Sequence, residues 1–361
     1  MDSCAIAAVT CRWNATSTMP FAPKTSQGND HMLDPTPIMQ LTTAYWNAMT
    51  FLTANRIGVF EALAKTPMSV SEAADALNTH PRPTRLLLNS CVALGLLEES
   101  EGVYTNSALA SVFLVPGSPA FMGNAVRYSD DLYATWGKLE QALRENRPPL
   151  AQETYLGDDP AKTRHFVYGM HNRALGIGNA LAGLVDLSGR KQLLDIGGGP
   201  GTYSALFVRR YPELRAKVLD LPHVVELADE IIGSLGAKDR VSTLAGDYHT
   251  TKFPTGNDVV LISGVLHRES EKGCRELIGR AKDTLEPGGL LILSDVFTDH
   301  GGTGPLFATL FGLNMMLTAP EGGVHADTDV AAWMAEAGFT HIETLPFPSP
   351  MPHRVVTGMV G

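Results

Sequence analysis

From Leu187 to the C-terminus, short apolar runs alternate with helical stretches, and this alternation restricts the possible folds more than any other feature of the chain. The runs are KQLLDIG, AKVLDL, RVSTLAGD, NDVVLISG and GGLLILSDV. Short runs rich in Val, Ile and Leu read as strands buried on both faces, and repeated strand–helix units predict a parallel, doubly wound sheet. Ligands of such sheets lie outside the carboxyl ends of the strands, so the residues that close each run are the first candidates for a site.

The chain upstream has a different pattern. Residues 1–35 are rich in Thr, Ser, Pro and Asn without periodicity, which predicts a disordered arm. Apolar residues from Ile38 to Phe60 recur at helical spacing and predict one helix from Pro37 to about Leu63. Ser69, three residues before Glu72, marks a capped helix start, and a second helix from Pro83 to Leu94 stops at Gly95. Two short strands, GLLEES and GVYTN, then meet at Glu101-Gly102. Helix, helix and hairpin over 36–115 make a winged-helix pattern. Residues 116–185 read as a helical linker contributing to a pocket, with Pro148-Pro149 as its break, and 186–361 is the α/β domain.

A winged helix raises DNA binding, but the charge opposes it. The formal net charge is -10, and between Leu41 and Val115 four basic residues face six acidic ones. Phosphate binding needs clustered Lys and Arg, and RPTRLLLNSCVALG is mostly apolar, as a face packed on another chain would be. No nucleic-acid partner is expected, although a cofactor-sensing regulator remains the non-enzymatic alternative. No apolar run approaches the roughly 20 residues that span a bilayer. The N-terminus has no basic region of the signal-peptide kind, and Cys4, Cys11, Cys91 and Cys274 are scattered. We expect reduced thiols, a cytoplasmic location and no membrane partner.

The most specific motif is Leu194-Asp195-Ile196-Gly197-Gly198-Gly199-Pro200-Gly201-Thr202. Its glycines at 197, 199 and 201 do not make a GxGxxG dinucleotide fingerprint, because Thr202 stands where the third glycine belongs. They still let backbone approach a ligand ahead of a helix N-terminus. Asp220 closes the second strand, where an acid accepts hydrogen bonds from ribose hydroxyls. Asp247 closes the third strand and suits an adenine amino group. LEPGG, residues 285–289, reads as a turn before the fifth strand.

These motifs, with LDLPHV, GD at 246–247, LH at 266–267 and the GG…AGF segment near the C-terminus, occur in order. Through them the chain resembles the class I S-adenosylmethionine-dependent methyltransferases. The resemblance sharpens to the plant-type and bacterial O-methyltransferases that include the caffeate and acetylserotonin enzymes, over about Ile38 to Gly361. The resemblance implies a Rossmann-like methyltransferase domain behind a winged-helix dimerisation domain, a homodimer, and S-adenosyl-L-methionine as cofactor. It implies cofactor contacts from Asp195, Gly197, Gly199, Gly201, Asp220, Leu221, Asp247, Tyr248 and Ser263. Phe166 and Met170 match an F-x-x-x-M motif beside cofactor and acceptor; read only as residues, they are core positions four apart on a helix.

The resemblance also implies that His267 is the base that takes a proton from an acceptor hydroxyl, with Asp295 orienting its ring. The offset of 28 residues equals one strand–helix–strand step and brings both to one edge of the sheet. This chain departs from the family in reading His267-Arg268-Glu269 where His-Asp-Trp is usual, and Arg268 reads as a solvent-facing cation or a grip on an acidic substrate. It also has His325 where the family often carries a further acid. His325 is therefore a third candidate catalytic residue, and two histidines leave two alternatives open. One is a metal held by His267 and His325 for C-methylation of an α-keto acid. The other is a relative that has lost methyl transfer. Under the main reading no metal is expected. Phe311, Asn314 and Met315, in an apolar helical stretch, line the pocket of a small aromatic or polyketide-like secondary metabolite, or else form core or dimer interface.

Overall fold

The computed structural model describes residues 34–150, 159–349 and 351–361, so the arm expected at the N-terminus lies outside the described residues as far as 33. The described residues divide into two units, with the boundary between residues 51 and 52. The first contains most of helix α1, Thr36–Arg56, whose Ile38, Leu41, Tyr45 and Trp46 are exposed. The single helix expected from 37 to 63 is two: α1 ends at Arg56, and α2 spans Val59–Lys65. Gly58 between them has φ +83 with nothing within 4 Å of where a Cβ would sit. Backbone conformation, not crowding, calls for glycine there.

In the second unit, strand β1, Met68–Ser69, leads into α3, Val70–Ala76, and the expected cap forms as a capping box between Ser69 and Glu72. Helix α4, Pro81–Ala93, is followed by β2, Leu97–Ser100, and β3, Val103–Asn106, which pair antiparallel in a sheet ordered β1-β3-β2. Helices α5, Ala108–Phe113, α6, Gly123–Trp136, α7, Leu139–Glu145, and α8, Pro160–Leu184, complete the helical part. Asp159 caps α8, accepting the Ala161 and Lys162 amides at 3.0 and 3.2 Å.

The α/β part is a seven-stranded sheet: β4 Gln192–Ile196, β5 Arg215–Asp220, β6 Val241–Ala245, β7 Asn257–Ser263, β8 Leu285–Val296, β9 Phe339–Pro346 and β10 His353–Val360. Helices α9, Thr202–Arg210, α10, Pro222–Ser234, α11, Glu271–Lys282, α12, Leu306–Met316, and α13, Asp327–Glu336, connect them. The spatial order is β6-β5-β4-β7-β8-β10-β9. The five expected strands run parallel, and β10 lies antiparallel between β8 and β9. The sheet is therefore mixed, not wholly parallel: the link from Pro346 to His353 is too short for a crossover, so the last strand must return antiparallel. LEPGG lies within β8 as a bulge, since partners step from Asn257↔Leu285 to Val259↔Leu290.

Both faces of the sheet are covered. Leu193, Phe207, Val218, Leu261 and Ile292 pack in one core, while Leu194, Ile196, Val260, Leu291 and Trp333 pack in the other. This two-sided burial explains the continuous apolar runs in the sequence. Strand order reverses between β4 and β7, so the loops after these two strands border one crevice, as a topological switch point requires.

Candidate active site

The loop after β4 is a glycine turn with φ of +65, +53 and +68 at Gly197, Gly199 and Gly201. A Cβ at 197 would lie 2.7 Å from Val265 Cγ2, on the loop after β7, which shows how closely the two loops approach. At Gly199 nothing lies within 4 Å, so the turn is open to a ligand on that side. Gly201 leads directly into α9, whose N-terminus has no side-chain cap hydrogen bond.

Asp220, at the end of β5, lies beside this turn. Its Oδ2 accepts the Gly199 amide at 2.7 Å and its Oδ1 the Leu221 amide at 2.8 Å. Burial pushes its carboxyl above the usual range, and these two amides oppose the shift. Asp247 Oδ1 accepts the His249 amide at 2.8 Å. The Tyr248 hydroxyl donates to Glu269 Oε1 at 2.6 Å, and burial followed by that carboxylate raises the phenol's pKa. Ser263 closes β7 and shares a hydrogen bond with Tyr203, whose phenol is pushed up to about 12, chiefly by burial. These residues suit a cofactor with a nucleoside end: an open glycine cradle, an acid for ribose hydroxyls, and a second acid one strand further on.

His267 stands on a single 3-10 turn, Leu266–Arg268, immediately after β7. Its Nδ1 lies 2.7 Å from Asp295 Oδ1, and its amide reaches Asp295 Oδ2 at 3.4 Å. The Asp295 side chain is 2% exposed and that of His267 14%. Burial alone would raise the Asp295 carboxyl. The His267 imidazole and its hydrogen bond, with the Val296 amide, outweigh burial and hold the carboxyl below the usual range. An ionised Asp295 accepts the Nδ1 proton, which leaves Nε2 of His267 as the lone-pair nitrogen. The Phe311 ring meets the imidazole edge-on at 5.0 Å, and Phe307 stacks on Phe311 at 5.9 Å.

Several expected site residues lie elsewhere or act differently. Asp195 is fully buried beneath the glycine turn, where its Oδ2 accepts the Ser204 hydroxyl at 2.7 Å. With no exposed surface, it supports the turn and does not face the crevice. His325 points its Nε2 at the backbone oxygens of Leu266 and Glu269, at 3.2 and 3.0 Å. That nitrogen is thus occupied by the turn that carries His267. Among the described residues no group of three His, Cys, Asp or Glu side chains is arranged for a metal ion. The Asn314 side-chain oxygen is taken by Trp136 Nε1 at 2.9 Å, and Met315 is buried. Phe166 packs edge-on against Tyr128 at 5.3 Å, and Met170 is half-buried on the same helix. Arg268 is half-buried instead of solvent-facing; its charge opposes, without cancelling, the upward shift that burial imposes on Asp220, Tyr128 and Tyr248.

Two long-range pairings join this region. Trp136, on α6, donates to Asn314 on α12. His353, opposite Val296 in the β8–β10 register, has an imidazole held below its usual pKa by burial, which Asp295 opposes only in part. Neither pairing leaves a local signal, because both join distant parts of the chain.

Burial pushes the Asp195 carboxyl to about 7, against the Ser204 hydrogen bond. The fold therefore retains a proton that the unfolded chain releases near pH 4, so this group's contribution to stability declines as pH rises from about 4 to about 7. Asp195→Asn should flatten the melting midpoint against pH across that window. An unchanged slope would contradict it.

Comparison with known proteins gives the family. The O-methyltransferase domain family matches residues 136–340, and the O-methyltransferase dimerisation domain matches residues 39–116. The 3-hydroxy-5-methyl-1-naphthoate 3-O-methyltransferase of Streptomyces sahachiroi is 34% identical over 90% of this chain and 95% of its own. The tetracenomycin polyketide synthesis 8-O-methyl transferase TcmO of Streptomyces glaucescens is 33% identical over 87% and 94%. Among solved structures, the S-adenosylmethionine-dependent methyltransferase SibL superposes with a TM-score of 0.70 at 28% identity, covering 91% of this chain and 99% of that one. The chain belongs to the O-methyltransferase family, as a methyltransferase whose methyl donor is S-adenosylmethionine.

Proposed function

We propose that the chain methylates a hydroxyl of a small aromatic, polyketide-like secondary metabolite, with His267 as general base and Asp295 as its orienting acid. The observation that carries this reading is the 2.7 Å Nδ1–carboxylate contact beside the Phe307–Phe311 stack. When bound, the cofactor supplies an electrophilic methyl group on a sulfonium. Asp220 receives the ribose hydroxyls, Asp247 the adenine amino group, and the glycine turn the remaining backbone contacts. Nε2 of His267 takes the hydroxyl proton as the acceptor oxygen attacks, and Asp295 stabilises the imidazolium that forms. The stacked phenylalanines offer a flat apolar wall to an aromatic ring. Two relatives named for a naphthoate and for a tetracenomycin polyketide support this acceptor class.

The working form is a cytoplasmic homodimer. The match to a dimerisation domain supports the dimer, as does the exposed row Ile38, Leu41 and Tyr45 on α1, at 67, 63 and 52%. The buried free thiols Cys91 and Cys274 suit a reducing compartment.

A panel of phenolic polyketides incubated with the enzyme and cofactor tests the acceptor class by the mass gain of one added methyl; turnover only on amines or carbon acids would overturn it. Asp220→Ala removes the two charge-assisted contacts expected with the ribose. Cofactor affinity by calorimetry should then fall by about tenfold or more. An unchanged affinity would remove Asp220 from the site.

A further inference from the structure

The turn after β6 carries Asp247 and Tyr248; from within, the Asp247 carbonyl accepts the Thr250 and Thr251 amides at 3.0 and 2.7 Å, and its Oδ1 accepts the His249 amide at 2.8 Å, but these bonds leave other carbonyls of the turn unpaired. The turn is tight, since a Cβ at Gly246 would lie 2.4 Å from Thr251 Oγ1. Three of its carbonyls, those of Tyr248, His249 and Thr251, need donors from outside. All three find the same one. Arg280, in the last turn of α11, donates Nη1 to the Tyr248 oxygen and, at 3.1 Å, to the His249 oxygen; its Nη2 reaches the Thr251 oxygen at 2.7 Å. Its guanidinium lies 4.2 Å from the centre of the Phe253 ring, which fixes the plane from which these bonds are made.

The opposite side of the turn is held by Glu269. Its Oε1 accepts the Tyr248 hydroxyl at 2.6 Å and stands 3.4 Å from His249 Nε2. Glu269 lies one residue past the turn that carries His267, and α11 runs from there to Arg280. One helix and the residue before its cap thus supply both holds. Asp247 keeps one carboxylate oxygen without a protein partner among the described residues, while the other is bonded to the His249 amide.

We propose that Arg280 and Glu269 are positioning residues for the cofactor: they clamp the 246–251 turn from two sides and thereby set how Asp247 and Tyr248 meet the nucleoside end. This rests on the reading of Asp247 and Tyr248 as cofactor contacts. A lysine at 280 has its three donors on a single nitrogen and lacks the planar fork that spreads Nη1 and Nη2 over three carbonyls, whereas a glutamine at 269 still accepts the Tyr248 hydroxyl.

The test is calorimetric binding of S-adenosylhomocysteine to the full chain, with the ligand-free melting midpoint measured alongside. Arg280→Met should weaken binding about tenfold, and Arg280→Lys by an intermediate factor. Glu269→Ala should weaken it several-fold, whereas Glu269→Gln stays close to wild type. With a turned-over acceptor, Arg280→Met raises the cofactor KM and leaves kcat at saturating cofactor and the acceptor KM unchanged. Binding within twofold of wild type in Arg280→Met overturns the proposal, as does equal loss in Glu269→Ala and Glu269→Gln. If Arg280→Met does not fold, wild-type affinity in Arg280→Lys overturns it. Asp220→Ala run in parallel separates the two levels: unchanged binding there shows that the cofactor site itself is misassigned, while weakened binding there with intact Arg280 variants refutes the clamp alone.

Discussion

Replacing His267 with alanine should lower kcat by about 10²- to 10⁴-fold near neutral pH while leaving cofactor affinity unchanged. A phenol titrates near 10, so without a base only a small fraction of an acceptor is ionised at neutral pH. His267 is placed to remove that proton: its Nδ1 is fixed on Asp295, its ring is braced by Phe311, and its Nε2 is the nitrogen left to accept. The imidazole takes no part in the glycine turn or the Asp220 contacts, so calorimetry with S-adenosylhomocysteine should not distinguish the variant from wild type. Near-normal turnover in the variant would show that the proton leaves by another route.

Asp295→Asn should cost nearly as much, for a different reason. The carboxylate accepts the Nδ1 proton of His267 and selects the tautomer whose Nε2 can act as base. An asparagine can turn its amide N–H toward Nδ1, which then becomes the acceptor and places the proton on Nε2, the wrong nitrogen. The expected fall in kcat is again about 10²- to 10⁴-fold, with the melting midpoint also lowered because Asp295 is 2% exposed and accepts the Val296 amide. A variant that melts lower but turns over normally would reduce Asp295 to a structural role.

Much of this arrangement was legible in the sequence because its signals are local. The glycine turn and the acids at strand ends follow from strand–helix alternation, whereas His267 and Asp295 were singled out through the family resemblance; their 28-residue step fits one strand–helix–strand unit, and the parallel pairing of β7 with β8 places it across one sheet edge. The cap at Ser69 was legible for the same reason. Long-range pairings were not. β10 slips between β8 and β9, which no periodicity announces, and it brings His353 up to Asp295. Asn314 was expected either to line the acceptor pocket or to lie in core or interface, and its side-chain oxygen meets Trp136, 178 residues away. His325 falls where the family carries an acid, which suggested chemistry, yet its ring nitrogen is satisfied by two backbone oxygens. Arg280 reads in sequence as one more charge on an amphipathic helix, and only the folded turn reveals its three carbonyl partners.

The pH dependence of the His267→Ala deficit tests the central claim most directly. If His267 serves to deprotonate a phenolic acceptor, the residual rate of the variant follows the phenolate fraction and climbs about tenfold per pH unit from about pH 7 toward the acceptor's own pKa. The ratio of wild-type to variant kcat should therefore shrink steadily over that range. A ratio that stays constant would mean that the lost imidazole contributes something other than proton removal, and would contradict the account.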